Sequence, residues 1–253
     1  MFKTMQFNTM LKAISRCLLM LTFLSVGLAI AQSKDVHPKK INLVYDVTRN
    51  GQPFATVTES YQQTGNEYHI VSITKGLGVY ALLGERKLTS DGTVTAGGLK
   101  PSRFELRQGD NAKKWLFTDF DWANSTLNMT VKGNVNAVPL LAGTQDLASF
   151  SYQFMNQFMF SPSAQKEQNS VALNVTTGKK LRLYEYKVAA RDVLLTLAAG
   201  TFKTLQLVSA DAENGDDKQL WLASEQFYLP VRVVMHDENG GVVEQNLKSL
   251  QLD

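Results

Sequence analysis

Two carboxylates stand two residues apart in an aromatic run, Asp119 and Asp121 in Phe117-Thr118-Asp119-Phe120-Asp121-Trp122. On a continuous strand they would share a face at roughly 7 Å, beside Trp115 and Phe117, near the separation at which an inverting glycosidase holds its acid and base. The same pattern also arises as a solvated strand end, which carries no reaction. His37, His69 and His236 lack a second histidine or an acidic residue at a metal-ligand spacing, so no metal site is expected. There is no G-x-S-x-G elbow and no phosphate-binding glycine pattern, and Gly76-Leu77-Gly78 lacks the third glycine of a dinucleotide turn. No catalytic residue and no cofactor is assigned, and hydrolase and nucleotide-binding classes lose their support.

Residues that could hold a greasy molecule are more prominent. The segment 76–84 (GLGVYALLG) is apolar, punctuated by glycine, and breaks strict alternation. It reads either as a flap whose Val79, Tyr80, Leu82 and Leu83 cover an apolar cavity, or as a short buried helix or bulged strand closing one end of the core. Phe150, Phe154 and Phe158 recur at helical spacing, while Tyr152, Met155 and Met159 add a second apolar side, more than one sheet face can bury. Trp115 opens the aromatic strand. Arg232 alternates with Val231 and Val233 and points to the opposite face, either toward an anionic headgroup or toward a local carboxylate such as Glu225. The candidate ligand-binding residues are therefore Tyr80, Leu82, Leu83, Trp115, Phe154 and Arg232.

These residues follow an export address. Lys3, Lys12 and Arg16 precede the apolar run 17–30, and Ala29-Ile30-Ala31 supplies the small residues that a signal peptidase accepts before Gln32. Fourteen apolar residues fall short of the roughly 20 that span a bilayer, so residues 1–31 read as a cleaved signal peptide, leaving no membrane span. Without them the chain carries 23 basic and 23 acidic residues and no cysteine. The formal excess of +3 thus belongs to the leader and is no argument for nucleic acid. Disulfides, thiolate metal sites and cysteine nucleophiles are excluded. The localisation expected is the periplasm. The sequons at Asn124, Asn128 and Asn174 matter only in a eukaryotic secretory pathway.

Period-two hydrophobicity runs along most of residues 32–253, from Ile41-Leu43-Tyr45-Val47 and Ala55-Val57-Glu59-Tyr61 to the stretch 242–250. Asn50-Gly51, Gly65-Asn66, Asp91-Gly92, Gly97-Gly98, residues 214–216 and residues 239–241 mark turns. About twelve strands are expected against one helix over 145–160, with Thr144 as its cap, Pro162 as its stop and a polar loop at 163–169. The fold expected is mainly β: a curved antiparallel sheet or partly open barrel with that principal helix packed on it. The two strand-rich halves, 41–135 and 170–253, either share one sheet or form two lobes joined by the helix.

Several short segments, in order, also resemble a known bacterial family: Tyr45-Asp46-Val47, Asp146-Leu147-Ala148-Ser149, Tyr152-Gln153-Phe154, GTFKTL at 200–205, KQLWLA at 218–223, LPVRV at 229–233 and GGVVEQNLKSL at 240–250. Together they resemble the domain of unknown function 3108 family across nearly all of residues 32–253. The resemblance implies export from a Gram-negative bacterium and a β-rich fold similar to the curved half-barrels of periplasmic lipoprotein carriers. It implies no reaction and carries over no catalytic residue. The best expectation is a non-enzymatic module binding a lipid or other amphiphile of the envelope. The alternatives are a scaffold that docks an envelope protein through a sheet edge or the 115–122 strand, and a carbohydrate-active enzyme using Asp119 and Asp121.

Overall fold

A computed structural model describes residues 37–159, 169–210, 217–237 and 239–253. The export segment 1–31, the junction at Gln32, Pro162, most of the 163–169 loop and the 214–216 turn lie outside the described residues. No helix among the described residues is long and apolar enough to cross a membrane.

Among the described residues the alternation read from the sequence becomes one sheet of fifteen strands. A first meander comprises β1 (Lys40–Arg49), β2 (Gln52–Thr64), β3 (Glu67–Gly76), β4 (Arg86–Thr95), β5 (Gly98–Gln108), β6 (Leu116–Asp121), β7 (Thr126–Val131) and β8 (Asn134–Pro139). After β9 (Gln145–Asp146) and a helix, α1 (Phe150–Met159), a second comprises β10 (Ser170–Thr176), β11 (Leu181–Leu197), β12 (Gly200–Ser209), β13 (Lys218–Ala223), β14 (Leu229–His236) and β15 (Val242–Leu252). The order across the sheet is β8 through β1, then β15 back through β9. The halves are joined where β1 pairs antiparallel with β15, from Ile41 opposite Leu252 to Arg49 opposite Val243. They are therefore one sheet, antiparallel except for the short β9–β10 pair.

The sheet is curved and unclosed, and it wraps α1. Thr176 on β10 reaches Met129 Sδ on β7 at 3.4 Å. On one side of the helix, Tyr152 and Met155 pack into the core built mainly by β1 to β7, with Phe202, Ala223, Val231 and Leu247 from β12 to β15. On the other, Phe154 and Phe158 join Val171, Leu173, Tyr186 and Leu207 of β10 to β12. This disposes of the excess apolar surface: the helix has sheet on both sides, and each fully buried phenylalanine contributes roughly 1.5–3 kcal/mol.

Local chemistry moves several expected boundaries. Thr144 does not cap the helix, since its hydroxyl donates to the Leu141 carbonyl at 2.7 Å. Residues 145–146 are strand, and Asp146 organises the helix start by accepting from the amides of Ala148 (2.8 Å) and Ser149 (2.9 Å). Asp91-Gly92 is no turn but lies inside β4 at a bulge. Gly92 is needed there because a Cβ would collide with the Lys100 carbonyl oxygen and lie 2.8 Å from the Tyr68 ring. The aromatic strand expected over 115–122 runs from Leu116 to Asp121, after a single 3-10 turn at Ala112–Lys114. Strands β8 and β9 were not expected from hydrophobic periodicity; β8 is mostly exposed and β9 has two residues.

Candidate functional site

Inward-facing residues of the curl do not fill it. A partly open cavity of about 270 Å³ lies between β1 to β4 and the facing strands β10, β11 and β13 to β15, with Leu147 and Phe150 beside α1 forming part of its wall. Most of its lining is apolar or aromatic, including Val57, Leu88, Val175, Leu220 and Met235. The polar exceptions sit in registers that alternation reserves for the core.

Glu59 follows Ala55 and Val57 on the inner face of β2 and keeps partial accessibility only because the cavity touches it. Its Oε1 accepts from Ser72 Oγ at 3.1 Å, and its Oε2 accepts from the Tyr152 hydroxyl at 3.4 Å. Burial pushes this carboxyl up to about 7, against the pull of those two bonds. Among the described residues lining the cavity it is the one acidic group. The Tyr45 hydroxyl, also raised by burial, donates to the Pro230 carbonyl at 2.8 Å and ties β1 to β14 behind the cavity.

A second buried carboxyl is structural. Ser90 Oγ donates to Asp146 Oδ2 at 2.6 Å, and the Tyr68 hydroxyl lies 3.1 Å from Ser90 Oγ, so the start of α1 is pinned to β3 and β4. Burial raises Asp146 to about 6, although four hydrogen-bond interactions favour its charged form. Gln153 completes the attachment, accepting from the Leu99 amide at 2.9 Å and donating to the Gly97 carbonyl at 3.0 Å. The helix is thereby held near the β4–β5 turn, one end of the curl.

The opposite rim carries Arg86, the first residue of β4, and Lys218, the first of β13, both lining the cavity. The β1–β2 and β14–β15 connections meet on this rim, where the Asn50 amide donates to the Val242 carbonyl at 2.8 Å. Lys218 Nζ lies 4.3 Å from the centre of the Tyr184 ring. Arg86 is half-buried, its desolvation favours loss of charge, and among the described residues its side chain has no ion-pair or hydrogen-bond partner.

None of Tyr80, Leu82, Leu83, Trp115, Phe154 and Arg232 lines this cavity. Tyr80 sits edge-on against Phe54 with centroids 4.5 Å apart, in a 3-10 helix at Gly78–Leu83 that buries no residue. The segment is a short helix, as one reading had it, but it is not buried: Leu82 is 90% and Leu83 63% exposed at the rim. Phe154 is fully buried, edge-on to Tyr186. Trp115 donates to the Gly109 carbonyl at 3.1 Å and lies under Arg107, bordering a shallow groove on the other face of the sheet. Arg232 is on the outer face as expected, but its carboxylate partner is Glu244 at 2.8 Å rather than Glu225, and it stacks on Trp221.

Asp119 and Asp121 also face outward, on the register opposite the buried Leu116, Thr118 and Phe120. Asp119 pairs with Arg103 at 2.9 Å. The Asn124 side chain and backbone bond Asp121 and hold it below the usual carboxylate range, which keeps it ionised rather than ready to donate a proton. Among the described residues His69 meets Asp91 at 2.6 Å and His236 meets Asp217 at 2.9 Å, each a single carboxylate.

The family model described as protein of unknown function (DUF3108) matches residues 44–248, spanning the strands that build the cavity. The chain belongs to this family. No curated protein matches the DUF3108 chain. Among solved structures, it is similar to a candidate lipoprotein from Parabacteroides distasonis, at 10% identity and a TM-score of 0.36, covering 85% of this chain and 96% of that one. It is also similar to a candidate exported protein with a YmcC-like fold from Bacteroides fragilis, at 9% identity and a TM-score of 0.34, over 85% and 96% of the two chains.

In this DUF3108 chain, Glu59 and Arg86 were passed over as site residues. The signal was a charge in an apolar register: Glu59 stands in line with Ala55, Val57 and Tyr61, and Arg86 with Leu88.

Proposed function

We propose that the chain is a non-enzymatic binding module of the periplasm that takes an apolar or amphiphilic envelope molecule into the curl of its sheet. The observation that carries this reading is the partly open cavity of about 270 Å³, mostly apolar, between the sheet walls and α1. Small-molecule pockets run from roughly 300 to 1,000 Å³, so this space suits one alkyl chain rather than several. About ten buried methylenes would contribute about 8 kcal/mol before the cost of association, a scale suited to reversible carriage. The leader-like segment 1–31 supports export.

Native mass spectrometry of the protein purified gently from periplasm, with analysis of its organic extract, tests this. A stoichiometric amphiphile is the expected result; an empty protein recovered with a protein partner would overturn it. That second outcome belongs to a docking role, which the outer edge of β8 favours: among the described residues the strand pairs with β7 alone, and Val135 on it is 62% exposed.

A further inference from the structure

We infer that the occupant is a single-chain amphiphile with an anionic head, oriented head-outward so that the head meets Arg86 at the rim and the tail runs inward along the apolar wall toward Phe150. The inference rests on the binding role proposed above and adds the head's charge and the direction of entry.

Four other arginines of the sheet find carboxylates: Arg49 meets Asp237, Arg103 meets Glu105 and Asp119, Arg107 meets Glu105, and Arg232 meets Glu244, while Arg182 on β11 points into solvent. Arg86 is different. It lines an apolar space, and among the described residues nothing neutralises or bonds its guanidinium. A guanidinium is always charged and presents planar, paired donors, so a desolvated one with no partner is suited to a carboxylate or phosphate brought by a ligand.

The rim carries a second cation, Lys218 on its facing wall. Among the described residues the other ionisable groups facing the space are Glu59, Tyr45, Tyr184 and Tyr186. Glu59 is tied to the wall by Ser72 and Tyr152, so both of its oxygens already have donors. The orientation follows from position: the cations stand at strand ends on the rim, while Leu147 and Phe150 beside the helix offer no charge to a head at the far end.

The test is binding of four twelve-carbon probes to the purified chain stripped of copurified lipid: laurate, monododecyl phosphate, dodecanol and dodecyltrimethylammonium. One of the two anions should bind about 10- to 100-fold more tightly than dodecanol, and the cation most weakly. Whichever anion leads identifies the head as carboxylate or phosphate. Arg86→Met should abolish that preference while leaving dodecanol affinity unchanged, and Arg86→Lys should keep part of it. Dodecanol binding as tightly as both anions, or an anion preference that survives Arg86→Met, would overturn the inference while leaving the cavity a greasy site. Failure of all four probes to bind the folded protein would instead remove the binding role, and this inference with it. The comparison among probes on the unmutated chain stands even if the variants do not fold.

Discussion

Glu59→Gln isolates the buried carboxyl of the cavity wall, because glutamine keeps the shape and cannot ionise. The unfolded chain holds this group near 4.5, whereas the folded protein raises it to about 7. The native state therefore binds the proton more tightly. The contribution of Glu59 to stability should be fully present below about pH 4.5, fall as pH rises toward 7, and level off above it. That difference corresponds to about 3 kcal/mol, an upper value because the carboxyl touches the cavity space and any water there reduces it. Asp146 adds a slope of the same sign, but its rise ends near 6. The diagnostic window is thus pH 6 to 7.5, where the unmutated protein should still lose stability and Glu59→Gln should not. At pH 8 the variant should be the more stable by up to about 3 kcal/mol, less about 1 kcal/mol for reversing one of its two hydrogen bonds. Urea unfolding midpoints at pH 5, 6, 7 and 8 measure this. Parallel curves for the two proteins through the window would refute the reasoning.

Asp146→Ala removes the acceptor for Ser90 and for two amides at the start of α1, and should cost about 3 kcal/mol in urea melts at pH 7, with loss of helical signal. Phe154→Ala should cost about 3–5 kcal/mol by thermal or urea unfolding, because the ring is fully buried between helix and sheet. Leu82→Asp should change stability by no more than about 0.5 kcal/mol in the same assay, since the side chain is 90% exposed. Gly92→Ala should lower the urea midpoint by the equivalent of about 1–3 kcal/mol, because its Cβ would meet the backbone of β5.

The strands were readable because each has one wet and one dry face, and on β1 the buried Ile41, Leu43, Tyr45 and Val47 repeat that pattern directly. What a local pattern cannot encode is which distant strand pairs with which. The β1–β15 junction joins residues about two hundred positions apart, and nothing in either stretch names the other. The strand β8 escaped because Asn134, Val135, Asn136 and Ala137 are all exposed, so no face alternates. Asp91-Gly92 was misread because the same dipeptide serves a turn and a bulge; the choice depends on Lys100 and Tyr68 lying against it, which only the folded sheet reveals.

The candidate site was harder for a related reason. Apolar residues were chosen for being apolar, yet a folded chain spends such residues mainly on its core, as Phe154 illustrates, or leaves them singly at a rim, as with Leu82. A cavity able to distinguish one amphiphile from another must break its own hydrophobic pattern, because only a polar group in a dry register can tell one head from another. Glu59 and Arg86 are such breaks, each costly to desolvate and each set on a strand whose neighbouring inward positions are buried. The helix resolves the same way: its two apolar sides were evidence of a sheet folded around it, and a sheet folded around one short helix leaves space beyond the helix's end. The cavity is that remainder, and its charged residues are the part of the site that core packing does not explain.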